Sequence, residues 1–252
     1  MRIKLIVAIA CLLMFFTGSA FADEMLSVKA GYQVMSPSGT FAGESNGVGT
    51  RIDMEDNIAF DDSKDVTAEI AVQLGNSRLS FNYLPLSFSG TGTGTFTFNG
   101  KTFTPANGSV SSEISADIYD IGYTYYLLNF DDLPSRFQLG VELAIKVIEG
   151  EASLSQTLSS LNETASGTAP IPTLGLRARV ALGDFIGVSG RVGYLEFDDN
   201  SFLDADVQVE FSPLPMAGIY GGYRIFELDV NESDLLLDVE FSGPYAGVFV
   251  RF

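Results

Sequence analysis

Lys29, Glu69, Glu142, Lys146, Arg177, Arg179, Arg191 and Arg224 each lie on the polar side of a stretch that alternates apolar and polar residues. Facing one another across an enclosed space, such side chains can pair as ions or select a small solute. Any acid–base site would have to be built on carboxylates, because the 252-residue chain contains no histidine. Where the enclosed space is narrow, the expectation is that the charges pair and fill it. A second set is purely acidic: Asp53, Glu55, Asp56, Asp61, Asp62 and Asp65, then Asp198 and Asp199, then Asp229, Glu232 and Asp234. Hard oxygen ligands suit Ca²⁺ or Mg²⁺, but the spacing is not that of an EF-hand loop. Solvated, mutually repelling loops are the expectation, and no metal or cofactor is assigned.

The elements that must hold these residues are strands. Residues 137–147, FQLGVELAIKV, set Phe137, Leu139, Val141, Leu143, Ile145 and Val147 against Gln138, Gly140, Glu142, Ala144 and Lys146. Strict alternation of this kind is the period of a strand with two different faces. Similar stretches occupy residues 26–34, 66–74, 78–84, 115–128, 173–182, 185–197, 203–211, 216–228 and 235–252, which makes ten strands. Eight is the alternative, if the seventh and eighth are extensions outside the main sheet. Long connections are expected after the first, third and fifth strands, the last of them from about Glu149 to Pro170. Tight turns follow the second, sixth and eighth. Asn99-Gly100, between Thr/Phe alternations, predicts a type I′ hairpin standing out beyond the main sheet.

Residues 1–22 read as a secretory signal peptide: Arg2 and Lys4, an apolar run from Leu5 to Phe16, then Ala20-Phe21-Ala22 before Asp23. Cleavage after Ala22 leaves one domain, 23–252. It removes the single cysteine, Cys11, so no disulfide is expected in an exported chain. Loss of Arg2 and Lys4 takes the net charge from −18 to −20, which argues against a nucleic-acid partner. After Ala22 no stretch reaches about 18 consecutive apolar residues, so no membrane helix is expected. The 26 glycines, 20 phenylalanines and 10 tyrosines suit an all-β chain.

Three features favour a membrane barrel over a soluble sandwich. Connections alternate long and short, as between the outside and the periplasm in outer-membrane barrels. The charged residues share the non-apolar face, where they would line a lumen. A basic side chain facing lipid at mid-membrane would cost about 2–4 kcal/mol. The last strand, GPYAGVFVRF, runs apolar to Phe252, which fits a strand that pairs with the first to close a barrel in lipid. Phe252, Val250, Val248 and Ala246 would face lipid, whereas Leu235, Leu237, Val239 and Phe241 use the other parity. A bulge at Gly243-Pro244 would absorb that slip. Protrusion of the residues before Gly243 beyond the bilayer is preferred.

The terminal Val248, Val250 and Phe252 resemble the C-terminal signature that the Gram-negative barrel-assembly machinery recognises. More narrowly, FNGKTFTPANGSVSSEISADIYDIGYTYYLL, LGVELAIKVIEGE and FELDVNESDLLLDVEFSGPYAGVFVRF resemble small Gram-negative outer-membrane β-barrel proteins of the OmpA/OmpW type. The resemblance implies a transmembrane antiparallel up-and-down barrel in the cell outer membrane, in contact with its lipids and lipopolysaccharide. It brings no catalytic or binding residues. The barrel enzymes known in that membrane use an active-site histidine, so a non-enzymatic, monomeric surface protein is expected, with a narrow solute pore as the alternative. Protein recovered from cells should begin at Asp23 by N-terminal sequencing and stay with the membranes through carbonate or urea washing. A chain beginning at Met1, or one released by the wash, contradicts this reading.

Overall fold

The structure, a computed structural model, describes residues 25–43, 52–55, 57–92, 95–98, 101–104, 108–130, 136–156, 158, 161–183, 185–214, 216–232 and 235–252; of Phe96, Glu232 and Leu235 only the backbone is described. The expected signal peptide and the Asn99-Gly100 turn lie outside the described residues, as do Asp56 and Asp234.

Ten long strands form one closed antiparallel barrel: β1 (Leu26–Gly43), β4 (Ser63–Leu74), β5 (Ser77–Gly92), β8 (Val110–Phe130), β9 (Arg136–Gln156), β10 (Asn162–Ala181), β11 (Ile186–Phe197), β12 (Asn200–Leu214), β13 (Ala217–Glu232) and β14 (Leu235–Arg251). Each pairs with its neighbour in chain order, and β14 returns to β1. The eight-strand alternative is excluded, because β11 and β12 are part of the wall. Four short strands, β2 (Ile52–Asp53), β3 (Ile58–Phe60), β6 (Phe96–Phe98) and β7 (Lys101–Phe103), lie in the two long connections at one end. Closure leaves the backbone no edge in lipid, which is what a spanning sheet requires. Phe252 and Leu26 complete it by exchanging backbone N–H···O bonds of 2.9 and 3.0 Å.

An exposed apolar belt circles the barrel. On β9 it runs from Phe137 to Val147, matching the roughly 9–11 residues that a tilted strand needs to cross the hydrocarbon. Leu143 is 59% exposed and Val207 52%, and a continuous belt of such side chains belongs in a bilayer, not in water. Tyr32, Tyr83, Tyr119, Tyr194 and Tyr223 ring its upper rim, and Phe130, Phe185, Phe211 and Phe252 its lower, the two girdles of outer-membrane barrels. At the lower end Gly75, at φ +56°, makes the tight turn from β4 to β5.

Above the upper rim the two faces exchange chemistry. On β9 the outward series passes from Val147 to Glu149 and Glu151, while the inward series passes from Lys146 to Ile148, Ala152 and Leu154. On β8 the outward residues go from Tyr119 to Asp117 as the inward ones go from Asp120 to Ile118. Asp117 lies directly opposite Glu149, so both strands leave the bilayer at one level. The physical cause is a change of solvent. Inside the membrane the outer face must be apolar and the lumen may be polar; in water the outer face must be polar and the inner face supplies a core.

Two expectations are corrected here. The segment from Glu149 to Pro170 is a hairpin, with β9 reaching Gln156 and β10 beginning at Asn162. Its inward residues include Gly150, Ala152, Gly167 and Ala169, too small to signal a buried face. The predicted hairpin does form, β6 against β7, and pairs with no other described strand. It folds inward and does not stand out, for Phe98 and Phe103 are buried inside the barrel's upper end.

The parity slip in the last strand needs no bulge. β14 keeps an unbroken register with β13 through Tyr223↔Pro244 and Arg224↔Gly243. Leu237, Val239 and Phe241 face inward because they lie above the membrane. Gly243 marks the crossing, where an added Cβ would lie 1.9 Å from the Val34 carbonyl oxygen.

Leu143→Arg, on the lipid face at mid-belt, should destabilise the refolded barrel by about 2–4 kcal/mol in denaturant titrations. Glu151→Arg, two turns of alternation above the rim on the same face, should stay within about 0.5 kcal/mol of wild type. Equal costs at the two positions would contradict a bilayer edge between them.

Candidate functional site

The membrane-spanning part of the lumen holds a network of charges set up by strand register. Asp120 faces Lys146 across β8 and β9, Lys29 faces Glu69 across β1 and β4, and Asp206 lies between Arg191 and Arg224 on the two sides of β12. Arg191 donates to Asp120 at 2.7 Å and to Asp204 at 2.6 Å, and its Nη1 is 3.5 Å from Glu142 Oε1. Lys146, only 1% exposed, lies 3.0 Å from Asp204 and 3.5 Å from Asp120. Arg177 Nε and Thr124 Oγ1 both donate to Glu142 Oε2, at 2.6 and 2.8 Å. Arg224 Nη2 is 3.5 Å from Asp206, whose carboxylate also accepts from Tyr245 at 2.6 Å.

Nearer the lower end a second group gathers on Glu210. It pairs with Lys29 at 3.2 Å and Arg179 at 3.2 Å, takes a hydrogen bond from Arg251, and accepts from Gln208 at 2.7 Å. Glu69 joins Lys29 to Arg78, at 3.7 and 2.8 Å. The structure thus gathers Lys29, Glu69, Glu142, Lys146, Arg177, Arg179, Arg191 and Arg224 in one lumen. It adds Arg78, Asp120, Asp204, Asp206, Glu210 and Arg251 to those eight. Their signal was present: Asp204, Asp206 and Glu210 share one parity of an otherwise apolar strand, as Glu142 and Lys146 do on β9.

Sequence reasoning missed the upper half of the lumen. Met35, Leu84, Leu86, Phe88, Ile118, Phe202 and Phe226 form one buried apolar cluster above the charges. Above it Phe41, Ile52, Met54, Ile58, Phe98, Phe103, Val110, Leu154 and Val239 form another. Phe88 stacks on Phe241 with ring centroids 5.1 Å apart. The long first and third connections supply Ile52, Met54, Ile58, Phe98 and Phe103, so these segments fold into the mouth. Val248, Val250 and Phe252 stay on the outer face, 59%, 38% and 43% exposed. Of the acidic set, Asp62 accepts from Ser36 at 2.7 Å and Asp53 from the Glu55 backbone N–H at 2.9 Å. Asp198 and Asp199 make the exposed turn between β11 and β12.

These distances make the lumen a place of charges held against one another in ion pairs. A buried ion pair that loses one member leaves the other uncompensated, which is the costly event, whereas exposed pairs contribute little.

Ten strands closed into a barrel, an apolar belt between aromatic girdles and a charged lumen define an outer-membrane β-barrel. No protein-family model matches the chain, and no curated protein does. Among solved structures it is similar to the outer membrane protease OmpT from Escherichia coli, with a TM-score of 0.62 and 11% identity over 94% of this chain and 99% of that one. Neisserial surface protein A (TM-score 0.37, 10% identity, 92% and 100% covered) and the attachment invasion locus protein Ail of Yersinia pestis (0.37, 10%, 90% and 98%) also align. The likeness to the protease concerns the fold, and the chain has the fold of the small outer-membrane barrels.

Asp204→Asn should cost about 3–5 kcal/mol of unfolding free energy, because Lys146, Arg191 and Arg224 all lean on that carboxylate. Lys101→Ala, which removes the surface pair with Glu163, should cost less than about 1 kcal/mol. Guanidinium titration of the refolded barrel in micelles separates them, and a near-neutral Asp204→Asn would contradict the network's role.

Proposed function

We propose that this chain is an integral protein of the Gram-negative outer membrane that works at the cell surface, its lumen closed by its own side chains. The observation that carries the reading is the double filling of one lumen. An ion-pair network occupies the membrane-spanning level, and two apolar clusters with the inserted β6–β7 hairpin occupy the part above it. Two cavities along the charged level have volumes of about 40 Å³ each, room for about three waters apiece. A barrel of this strand number is wide enough for side chains to fill, whereas aqueous channels belong to barrels of about 16 strands.

The surface role rests on what the upper part presents outward. Glu113, Asp117, Glu149, Glu151, Glu227, Asp229, Asp238 and Glu240 face water above the belt. In three places these carboxylates stand directly opposite one another, Asp117↔Glu149, Glu227↔Glu240 and Asp229↔Asp238. Their neighbours in this reading are the lipopolysaccharide headgroups, and Val248, Val250 and Phe252 are what the barrel-assembly machinery would bind during biogenesis. No catalytic role is assigned; the protease's similarity at 11% identity concerns the wall and not a site.

Purified, refolded protein in a planar bilayer should be electrically silent after heat-modifiable gel migration has shown that it is folded. Reproducible conductance steps that change on Glu142→Gln or Arg177→Gln would overturn the closed lumen and make the protein a narrow pore.

A further inference from the structure

Above the membrane the wall of the barrel has a notch. β11 turns back at Phe197 and β12 starts at Asn200, whereas β9 continues to Gln156 and β13 to Glu232. The upper half of β10 is therefore paired on one side only. Its ladder with β9 runs unbroken from Ala181 to Asn162, but its ladder with β11 stops at Leu174↔Tyr194, the level of the upper aromatic girdle. From Thr173 up to Asn162 no described strand lies against the other edge. Asn162 and every residue from Thr164 to Pro170 are exposed, so both faces of the strand are bare there. The far side of the notch is capped, because Asn200 Oδ1 accepts from the Asn231 backbone N–H at 2.9 Å.

Hydrogen-bond phase decides what the edge offers. The Leu182 N–H donates to the Ile186 carbonyl at 2.7 Å where β10 turns into β11, and the Gln156 N–H to the Leu161 carbonyl at 3.1 Å where β9 turns into β10. In an antiparallel ladder, bonded pairs recur at every second residue. The odd residues of β10 thus bond to β9, and the even ones turn their N–H and C=O toward β11 or, above Leu174, toward the notch. Pro170 and Pro172 are even, so the two edge positions nearest the girdle have no donor to leave unmet. Above them Asn162, Thr164, Ser166 and Thr168 present both groups. From Thr164 to Ala169 none of the devices that blunt an edge is found: no proline, no charge and no break in register.

We propose that this edge of β10 is a docking site for an extended, basic polypeptide segment, which adds to the sheet as an antiparallel strand. Alternating main-chain donors and acceptors at strand spacing match another strand, and side chains set its character. Outward side chains of the added strand lie beside Ser166 and Thr168, whose neighbours on β9 are Glu151 and Glu149. Ser and Thr are short enough for Lys or Arg to reach over them to those carboxylates, and the exposed Glu196 stands at the top of β11, beneath the notch. Inward side chains meet Ala165, Gly167 and Ala169, all small and exposed; a Cβ built on Gly167 has nothing within 4 Å. Large apolar residues fit there. A second copy of this chain does not suit the edge, because both barrels carry the same net charge of −18 and in one membrane their β10 strands would run parallel. Only the location of this end, outside the cell, is taken from the surface reading.

The probe is a capped peptide of about nine residues alternating Lys and Val, followed by fluorescence anisotropy with the refolded barrel in micelles. It should bind saturably, its Lys residues opposite Asn162, Thr164, Ser166 and Thr168. N-methylation of the Lys amides, which face β10, should weaken binding about tenfold or more, and N-methylation of the Val amides, which face away, should change it little. Ser166→Pro shares the parity of Pro170 and Pro172, so it removes one edge donor, leaves the ladder with β9 whole and should weaken binding about tenfold. Absence of saturable binding overturns the proposal. Equal binding of the two methylated peptides also overturns it, since attraction to the carboxylates alone would then suffice. Should Ser166→Pro not fold, the methylated peptides decide. Location is read separately: Ser166→Cys should react with an impermeant maleimide on intact cells. Labelling without peptide binding removes the docking site and leaves the surface reading standing; peptide binding without labelling does the reverse.

Discussion

Each long strand of this barrel crosses two solvents, and that constraint organises the molecule. In hydrocarbon the backbone has no partner but a neighbouring strand, so the sheet must close and its outer face must be apolar. The polar residues of each strand then have only the lumen to go to. In water, a few residues further up the same strand, the outer face must be polar and the inner face becomes the place for a hydrophobic core. The exchange at Val147 and Glu149 outside, and at Lys146 and Ile148 inside, is this constraint written on one strand.

The lumen's two fillings follow from it. Below the crossing, polar side chains enclosed by a narrow barrel must satisfy one another, and strand register places opposite charges face to face at Asp120↔Lys146 and Lys29↔Glu69. Above it, Phe41, Phe88, Leu154 and their neighbours pack as the interior of a soluble protein does. The loop-borne Ile52, Met54, Ile58, Phe98 and Phe103 complete that packing. Glycine and proline at 243 and 244 sit at the same crossing on β14, where the strand approaches the Val34 carbonyl too closely for a side chain.

How much of this was legible varied with the strength of alternation. The belt strands were readable because branched and aromatic residues alternate there with Gln, Glu, Lys and Arg. The ten-strand closure followed from them and from the apolar last strand. The tower was harder, because its inward residues are often small: Gly150, Ala152 and Ala169 made residues 149–170 look like a loop, although Leu154 alternates with Ser153 and Ser155. The parity change from Leu79 and Phe81 to Leu84, Leu86 and Phe88 was visible in the sequence, and on β14 it was visible as a slip. Its meaning depends on where the bilayer ends, which no single strand states. Pairing partners such as Arg191 with Asp120 and Asp204 depend on a sheet closed around a lumen, beyond what spacing along one strand conveys.

The exchange of faces can be measured directly. Cys11 is the one cysteine in the chain and lies in the segment expected to be removed, so nitroxide labels can be attached to single cysteines at positions 139, 141, 143, 145, 147, 149, 151 and 153, all on the outer face of β9. In the refolded barrel in vesicles, labels at 139–147 should be accessible to dissolved oxygen and shielded from a water-soluble nickel chelate. Those at 149–153 should show the reverse, with the switch between 147 and 149. Oxygen accessibility that continues unbroken to 153, or chelate accessibility already high at 143, would contradict a bilayer edge at that level and the account built on it.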